Sequence, residues 1–201
     1  MRKLYNKIIN DLSDQGWSVQ SHFIEDDFLH ALIEEERELW QDGEFHKALV
    51  GSGENRKHRP EIRSDHVLWL DEDSLTKLQK IYWDEMERLR QILNSTFYIG
   101  LNDFEAHFAV YPHGSFYKKH LDQFKNFKER FISCILYLNE DWQTSDGGQL
   151  RIYMTQDEKE SYIDIDPTLG TFVCFRSDLI YHEVLPAKRN RFSLTGWFKK
   201  T

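Results

Sequence analysis

Cysteine, proline and long apolar runs are scarce in this chain, and each scarcity excludes a class of protein. The only two cysteines, Cys134 and Cys174, lie in short apolar runs that predict buried strands, so a disulfide framework is not expected. No apolar run is long enough to cross a membrane, and residues 1–13 lack the continuous apolar core of a secretory signal. These features predict a cytoplasmic protein with no membrane partner.

Basic charge is also in deficit. The chain has 26 basic and 34 acidic residues, a formal net charge of -8. A nucleic-acid backbone would be repelled by this charge, so we expect no nucleic-acid partner. The main basic run, at residues 56–59, is predicted to be a solvated loop. With 40% hydrophobic and 14% aromatic residues over 201 positions, the composition is typical of one folded domain spanning 1–201.

Helical patterns dominate residues 1–100. The first helix is predicted to end at Gly16, and the second to begin after Asp26. A third is predicted at about residues 74–94, with Ile81 among the residues on its buried face. Between the second and third lies a polar stretch at 51–65, which reads either as a substrate-binding loop or as a disordered one. It leads into a short apolar strand at 67–70.

Short strands separated by glycine and proline turns fill residues 101–201. This texture predicts a mainly β domain, either a sandwich or a barrel, with the N-terminal helices in support. The predicted strands lie at about 105–111, 116–121, 131–138, 148–154, 161–165, 171–175 and 191–198.

A candidate metal site is formed by His120, Asp122 and His182. Residues two apart on a strand project to the same face, so His120 and Asp122 could share a cation, although a surface ion pair would give the same spacing. Two imidazoles and one carboxylate occupy one face of an octahedron and leave three positions open, as iron(II) oxygenases require. A closed zinc site would need a fourth ligand, and neither cysteine is suitably spaced.

Arg191 begins a strand that alternates between an apolar face and a polar-tipped face. If the polar face points into a barrel, the arginine needs an anion, and the distal carboxylate of 2-oxoglutarate would supply it. An arginine paired with an acid on a solvent-facing strand is the alternative. Tyr137, at the end of an apolar strand, could donate to the same carboxylate or could be a core residue.

Several stretches of the chain resemble one enzyme family. They are YP at 111–112, FYKKHLD at 116–122, LYLNEDW at 136–142, GGQLR at 147–151, HEVLP at 182–186 and RFSLTGWF at 191–198. Together they resemble the prolyl 4-hydroxylase branch of the Fe(II)/2-oxoglutarate-dependent oxygenases, close to the bacterial relatives of the oxygen-sensing prolyl hydroxylases. In addition, IRSD at 62–65 looks like the mobile substrate-covering loop of those enzymes. The resemblance spans about residues 60–200.

The resemblance implies a double-stranded β-helix with helices packed on one sheet, and it implies roles for individual residues. The iron(II) ligands would be His120, Asp122 and His182, and these three and Arg191 would form the catalytic set. The residues implied in binding 2-oxoglutarate are Arg191, Tyr137, Thr195 and Tyr111. Those implied near the protein substrate are Arg63, Asp65, Tyr117, Arg130 and Trp197. Dioxygen would be the second co-substrate, and ascorbate would serve as reductant.

The activity that the resemblance implies is hydroxylation of a prolyl residue in another protein. Bacterial relatives act on elongation factor Tu, so that protein is the expected partner. The Tyr111–His120 segment is a residue shorter than in the animal oxygen sensors and little sequence follows Arg191, so the loop at 51–65 is expected to contribute much of the recognition. Two alternatives stay open: a hydroxylase of a small molecule or free amino acid, and a non-catalytic sensor of 2-oxoglutarate or metal.

Overall fold

Two antiparallel β-sheets face each other, and three helices support them. The computed structural model describes residues 2–51, 57–123, 128–154 and 161–200. In this part of the chain the helices are α1 (Arg2–Gln15), α2 (Asp26–Gln41) and α3 (Lys77–Phe97). The strands are β1 (Trp17–Gln20), β2 (His46–Lys47), β3 (His66–Trp69), β4 (Asp103–Tyr111), β5 (Tyr117–His120), β6 (Arg130–Tyr137), β7 (Leu150–Tyr153), β8 (Tyr162–Ile165), β9 (Phe172–Arg176), β10 (His182–Val184) and β11 (Arg191–Lys199).

The larger sheet has the order β1-β9-β6-β11-β4-β3-β2, and the smaller sheet has the order β5-β10-β7-β8. Apolar side chains from the facing sides of both sheets pack into one cluster, to which the larger sheet contributes Ile135 and Phe175 and the smaller contributes Ile152 and Val184. Burying each such side chain contributes about 1.5–3 kcal/mol. This arrangement confirms the double-stranded β-helix that the family resemblance implied.

Strand β11 shows how the alternating pattern divides the molecule. Phe192, Leu194 and Phe198 point outward into the cluster beneath the helices. Because successive side chains on a strand project to opposite faces, Arg191 and the alternate residues after it point inward, where they line the pocket between the sheets. The predicted polar-tipped face therefore faces the barrel interior.

The helices pack with their apolar faces toward the core, and individual residues determine where each helix begins or ends. Helix α1 stops before Gly16, whose φ of 81° is easily adopted only without a side chain. Helix α3 begins after Thr76, whose hydroxyl accepts a hydrogen bond from the backbone N–H of Gln79 in a capping box. The prediction of a start near residue 74 was therefore early. Ile81, predicted to be buried, is 51% exposed, so that prediction was wrong.

Three strands were not predicted: β1, β2 and β10. Each has four residues or fewer, too short for a periodic signal, and each is stabilised by its neighbours in a sheet. As a result, the helical half of the chain also supplies β1, β2 and β3 to the larger sheet. Residues 52–56 of the predicted loop, with Arg56 of the basic run, lie outside the described residues. None of the described helices combines the length and apolar character needed to span a membrane.

Helix α2 places an acidic residue in the hydrophobic core. Glu36 is completely buried, and neither of its carboxylate oxygens has a hydrogen-bond partner among the described residues. Burial raises the pKa of Glu36 well above its usual value, and this effect outweighs the opposing influence of Arg191. We therefore expect the carboxyl group to be neutral in the folded protein.

Glu36→Gln should change how stability depends on pH. Above the usual pKa of a glutamate, the unfolded chain loses this proton while the folded chain retains it, so wild-type stability falls with rising pH. Between pH 5 and 8, the unfolding free energy of the variant minus that of wild type should increase by up to about 1.4 kcal/mol per pH unit. Chemical denaturation across this range measures the difference, with exposed Glu38→Gln as the control. Parallel curves for Glu36→Gln and wild type would contradict the assignment.

Candidate metal centre

His120, Asp122 and His182 converge on one point inside the barrel. The Nε2 atoms of His120 and His182 lie 3.4 and 3.7 Å from Oδ1 of Asp122. One ligand atom from each residue lies within 4.8 Å of the other two. The three side chains are partly or fully buried, so the arrangement differs from a surface ion pair.

The register of the smaller sheet brings these residues together. Strand β10 inserts between β5 and β7, and His182 lies directly opposite His120 on the neighbouring strand. Asp122 follows the end of β5, two residues beyond His120. Local sequence explains the His120–Asp122 spacing, whereas the position of His182 depends on this long-range pairing.

Both imidazoles are held with the same nitrogen facing the centre. Nδ1 of His120 lies 2.7 Å from the carbonyl oxygen of Lys118, and Nδ1 of His182 lies 3.1 Å from that of Ile180. A carbonyl only accepts, so each Nδ1 carries the hydrogen and each Nε2 presents a lone pair. Burial, assisted by His120, lowers the pKa of His182 to about 4 in spite of Asp122, so this ring is neutral near pH 7.

Asp122 is oriented by donors on the larger sheet. Its Oδ2 accepts hydrogen bonds from Oγ of Ser133 at 2.6 Å and from Nε1 of Trp197 at 2.9 Å, which leaves Oδ1 toward the histidines. Burial alone would raise the pKa of Asp122, but His182 and His120 hold it well below its usual value. An ionised carboxylate and neutral imidazoles are the protonation states that a metal ion requires.

Arg191 lies at the closed end of the same pocket. It is 1% exposed, and among the described residues no carboxylate lies within ion-pair distance of it. Its Nε donates to the carbonyl oxygen of Gly148 at 2.8 Å, and the rings of Tyr111 and Tyr137 flank the guanidinium at 4.9 and 4.8 Å. A buried, positively charged group without a counter-ion is a strong attractor for an anion.

Glycine at position 148 is required by this packing. A Cβ atom there would lie 3.0 Å from the side chain of Arg191, and the backbone has a φ of 66°. The preceding Gly147 is more restricted still, because its Cβ would lie 2.3 Å from the carbonyl oxygen of Pro186. Gly148 therefore allows the backbone to approach and bind the arginine, and Gly147 allows it to approach Pro186.

Of the remaining residues predicted to bind 2-oxoglutarate, Tyr111 and Thr195 line the pocket, and Tyr137 lies against Arg191. Tyr111 and Thr195 belong to neighbouring strands β4 and β11. Tyr137 is completely buried, and its hydroxyl has no hydrogen-bond partner among the described residues. Burial raises the pKa of Tyr137 to about 12 although Arg191 opposes the shift, so the hydroxyl keeps its proton and can donate it.

Of the residues predicted to contact substrate, Arg63, Tyr117, Arg130 and Trp197 line the pocket, and Asp65 is buried next to it. Arg63 forms an ion pair with the buried Asp65 and covers the ring of Tyr117 at 4.3 Å, and Tyr117 stacks on the ring of His120 at 3.5 Å. Arg130 covers the ring of Trp197 at 3.6 Å and pairs with Glu105. The described end of the 51–65 loop is thus in contact with the metal centre through one aromatic ring.

Two residues of the site were not predicted. Ser133 contacts Asp122 from β6, and the buried His107 lines the pocket from β4. The alternation of β4 carries a signal for His107, since it shares a face with Tyr111 four residues later. Ser133 had no local signal, because its role depends on the packing of two sheets.

The observed groups fit iron(II) with a bound 2-oxo acid. The donor set of two imidazoles and one carboxylate suits iron and leaves coordination positions free. The unpaired guanidinium of Arg191 and the unpartnered hydroxyl of Tyr137 together supply the donors that a carboxylate binds. These two residues lie on adjacent inner strands, so a single ligand could satisfy both.

Comparison with known proteins agrees with this chemistry. The pattern of the 2OG-Fe(II) oxygenase superfamily matches residues 106–199. A prolyl-4-hydroxylase from Pseudomonas putida, known from its crystal structure, is 40% identical, with a TM-score of 0.88, over 98% of this chain and 100% of that one. A Trichoplax adhaerens prolyl hydroxylase, in complex with a peptide fragment of hypoxia inducible factor, shares the fold at a TM-score of 0.86, with 24% identity over 98% of this chain and 89% of that one.

The animal relatives are longer than this chain. A hypoxia-inducible factor prolyl hydroxylase from Caenorhabditis elegans is 31% identical over 98% of this chain, but the match covers 28% of the relative. The chain spans less than two thirds of each of the first four curated relatives, from 28% to 57% of their length.

Arg191→Ala should separate 2-oxoglutarate binding from metal binding. Loss of the buried charge should weaken 2-oxoglutarate affinity about 100-fold or more, since charge-assisted hydrogen bonds contribute ~1.5–3 kcal/mol each. The affinity for iron(II) or manganese(II) should change less than threefold, because Arg191 does not contact the three ligands. Anaerobic calorimetry measures both constants, with exposed Arg189→Ala as the control. An equal loss of both affinities would make Arg191 a structural residue.

Proposed function

The chain belongs to the 2OG-Fe(II) oxygenase superfamily, and from this premise we propose that it hydroxylates a prolyl residue of a protein substrate. The observation that carries the proposal is the combination of an open His120-Asp122-His182 centre with a buried, unpaired Arg191 in the same pocket. A structural metal site would not need both an open coordination face and a separate carboxylate-binding group.

Each pocket residue has a defined task in this proposal. His120, Asp122 and His182 hold iron(II), while Ser133 and Trp197 keep Asp122 in its binding orientation. Arg191 binds the distal carboxylate of 2-oxoglutarate, and Tyr137 donates a second hydrogen bond to it. Tyr111 and Thr195 line the space between them.

When bound, iron(II) and 2-oxoglutarate supply the oxidising power that inserts one oxygen atom of O₂ into a C–H bond, and the protein supplies geometry and exclusion of water. Arg191 and the tyrosines fix one end of the co-substrate, so that its other end is directed to the metal. The Tyr117 ring covers His120 and excludes water from that side. Ascorbate is proposed as the reductant that maintains iron in its iron(II) state.

The mouth of the pocket supports a protein rather than a small-molecule substrate. Leu49 is 46% exposed beside the pocket, and Trp69 is 43% exposed at the edge of the larger sheet. Arg63 lies over the ring of Tyr117, and both residues line the pocket. An open apolar and aromatic rim of this kind suits an extended peptide. The 40% identity to a prolyl-4-hydroxylase favours proline as the target, and elongation factor Tu is the proposed partner.

Incubation of the purified protein with elongation factor Tu tests the function directly. With iron(II), 2-oxoglutarate, ascorbate and air, one prolyl residue should become heavier by one oxygen atom, with one succinate formed per hydroxylation. The His182→Ala variant should lose at least 99% of this product, because only two ligands remain. Peptide mass spectrometry locates the modification.

Three outcomes distinguish the alternatives. Product on another protein of a host lysate, but not on elongation factor Tu, would replace the partner and retain the chemistry. Turnover with a free amino acid alone would favour the small-molecule alternative. Absence of both succinate and oxygenated product would overturn the enzymatic assignment.

A further inference from the structure

Beyond the metal ligands and the co-substrate site, His107 is a buried histidine with no task so far. We propose that its Nε2 accepts a hydrogen bond from a backbone N–H group of the substrate, that of the residue following the target proline. This inference rests on the proposed function, and it names a residue that selects the substrate rather than one that carries out the reaction.

The register of β4 places His107 on the substrate side of the pocket. Side chains at 107, 109 and 111 share the inner face of this strand, and their partners on β11 are Thr195, Ser193 and Arg191 in that order. Arg191 marks the closed end, and His107 lies four residues away, about 13 Å along the strand. Trp197, which contacts Asp122, is a ring neighbour of His107 at 5.3 Å. His107 is therefore level with the metal centre and beyond the carboxylate-binding end.

One nitrogen of His107 is committed and the other is available. Nδ1 lies 3.1 Å from the carbonyl oxygen of Phe108, so it carries the hydrogen and donates it there. Nε2, at the far side of the ring from that carbonyl, is consequently an acceptor. The residue is 3% exposed and lines the pocket, so the pocket is where a donor can reach it.

The surroundings keep this imidazole neutral and fixed. Burial and the nearby charge of Arg63 lower the pKa of His107 to about 3, with Arg130 adding to the shift and Asp65 opposing it. The ring of Trp69 meets it edge-on at 4.8 Å, and the ring of Trp197 lies 5.3 Å away, with the two indoles 6.1 Å from each other. A neutral ring that is hydrogen-bonded through Nδ1 and packed against two indoles has little freedom to turn its lone pair away.

The class of donor follows from the substrate chemistry. A prolyl residue has no N–H group of its own, so an acceptor beside it can contact only the N–H of an adjacent residue. Among the charged groups that act on His107, Arg63 and Arg130 carry donors only, and the carboxylate of Asp65 is already paired with Arg63. Among these neighbours, His107 is therefore the residue that can accept a hydrogen bond from a peptide N–H.

A matched pair of peptides tests the contact. The probes are acetyl-Gly-Pro-Gly-amide and the same peptide with N-methylglycine after proline, which removes one N–H group. Each is titrated into protein loaded with zinc(II) and 2-oxoglutarate, so that binding is measured by NMR without turnover. The wild-type protein should bind the first peptide about tenfold more tightly, as expected for one buried hydrogen bond. The ¹⁵N signal of His107 Nε2 should shift with that peptide alone.

Variants assign the preference to this residue. His107→Phe retains an aromatic ring and should remove the tenfold difference, whereas His107→Gln retains an acceptor and should restore part of it. His113→Phe, an exposed control, should behave as wild type. A preference that persists in His107→Phe, equal binding of both peptides to wild type, or an unshifted ¹⁵N signal would overturn the role of His107. Failure of both peptides to bind wild type would overturn the prolyl-peptide assignment with it.

Discussion

The insertion of β10 between β5 and β7 is the interaction on which the site depends. It places His182 opposite His120, and a register shift of one residue would turn the imidazole to the other face of the sheet. Asp122 is then held from the facing sheet by Ser133 and Trp197, so the centre ties the two halves of the barrel together. The apolar cluster between the sheets fixes their separation, and the helices cover the outer side of the larger sheet.

Buried polar groups inside the barrel destabilise the protein when they have no partner, and for the same reason they favour binding of a ligand that pairs with them. Arg191 without an anion and Tyr137 without a hydrogen-bond partner each carry a desolvation cost, of about 1–3 kcal/mol for the neutral hydroxyl and more for the charge. A ligand with a carboxylate removes both costs on binding and stabilises the folded chain by mass action. The same pocket therefore links the fold to its co-substrate. His107 is a further buried polar residue of this kind, because its neutral ring offers an acceptor close to the donors of Arg63 and Arg130.

Alternation along strands made much of this predictable. The period of two on β11 separated the core face from the pocket face, and the His120–Asp122 spacing placed two ligands side by side. His182 was identified by its residue type and not by a local pattern. Its position depends on pairing with a strand about sixty residues away, which the neighbouring sequence does not indicate. Ser133 and the short strands β1, β2 and β10 were missed because their positions depend on neighbours distant in sequence. Ile81 follows the helical period, yet it is half exposed because it lines an open cavity between the three helices.

The central claim, that three side chains hold one iron(II) ion and leave adjacent positions free, is tested most directly by visible spectroscopy without oxygen. Addition of 2-oxoglutarate to protein loaded with one equivalent of iron(II) produces a charge-transfer band only when the keto acid chelates the metal. The band should saturate at one equivalent of 2-oxoglutarate and should be absent in Asp122→Ala. Tight iron binding without any such band would show a closed site and contradict the account.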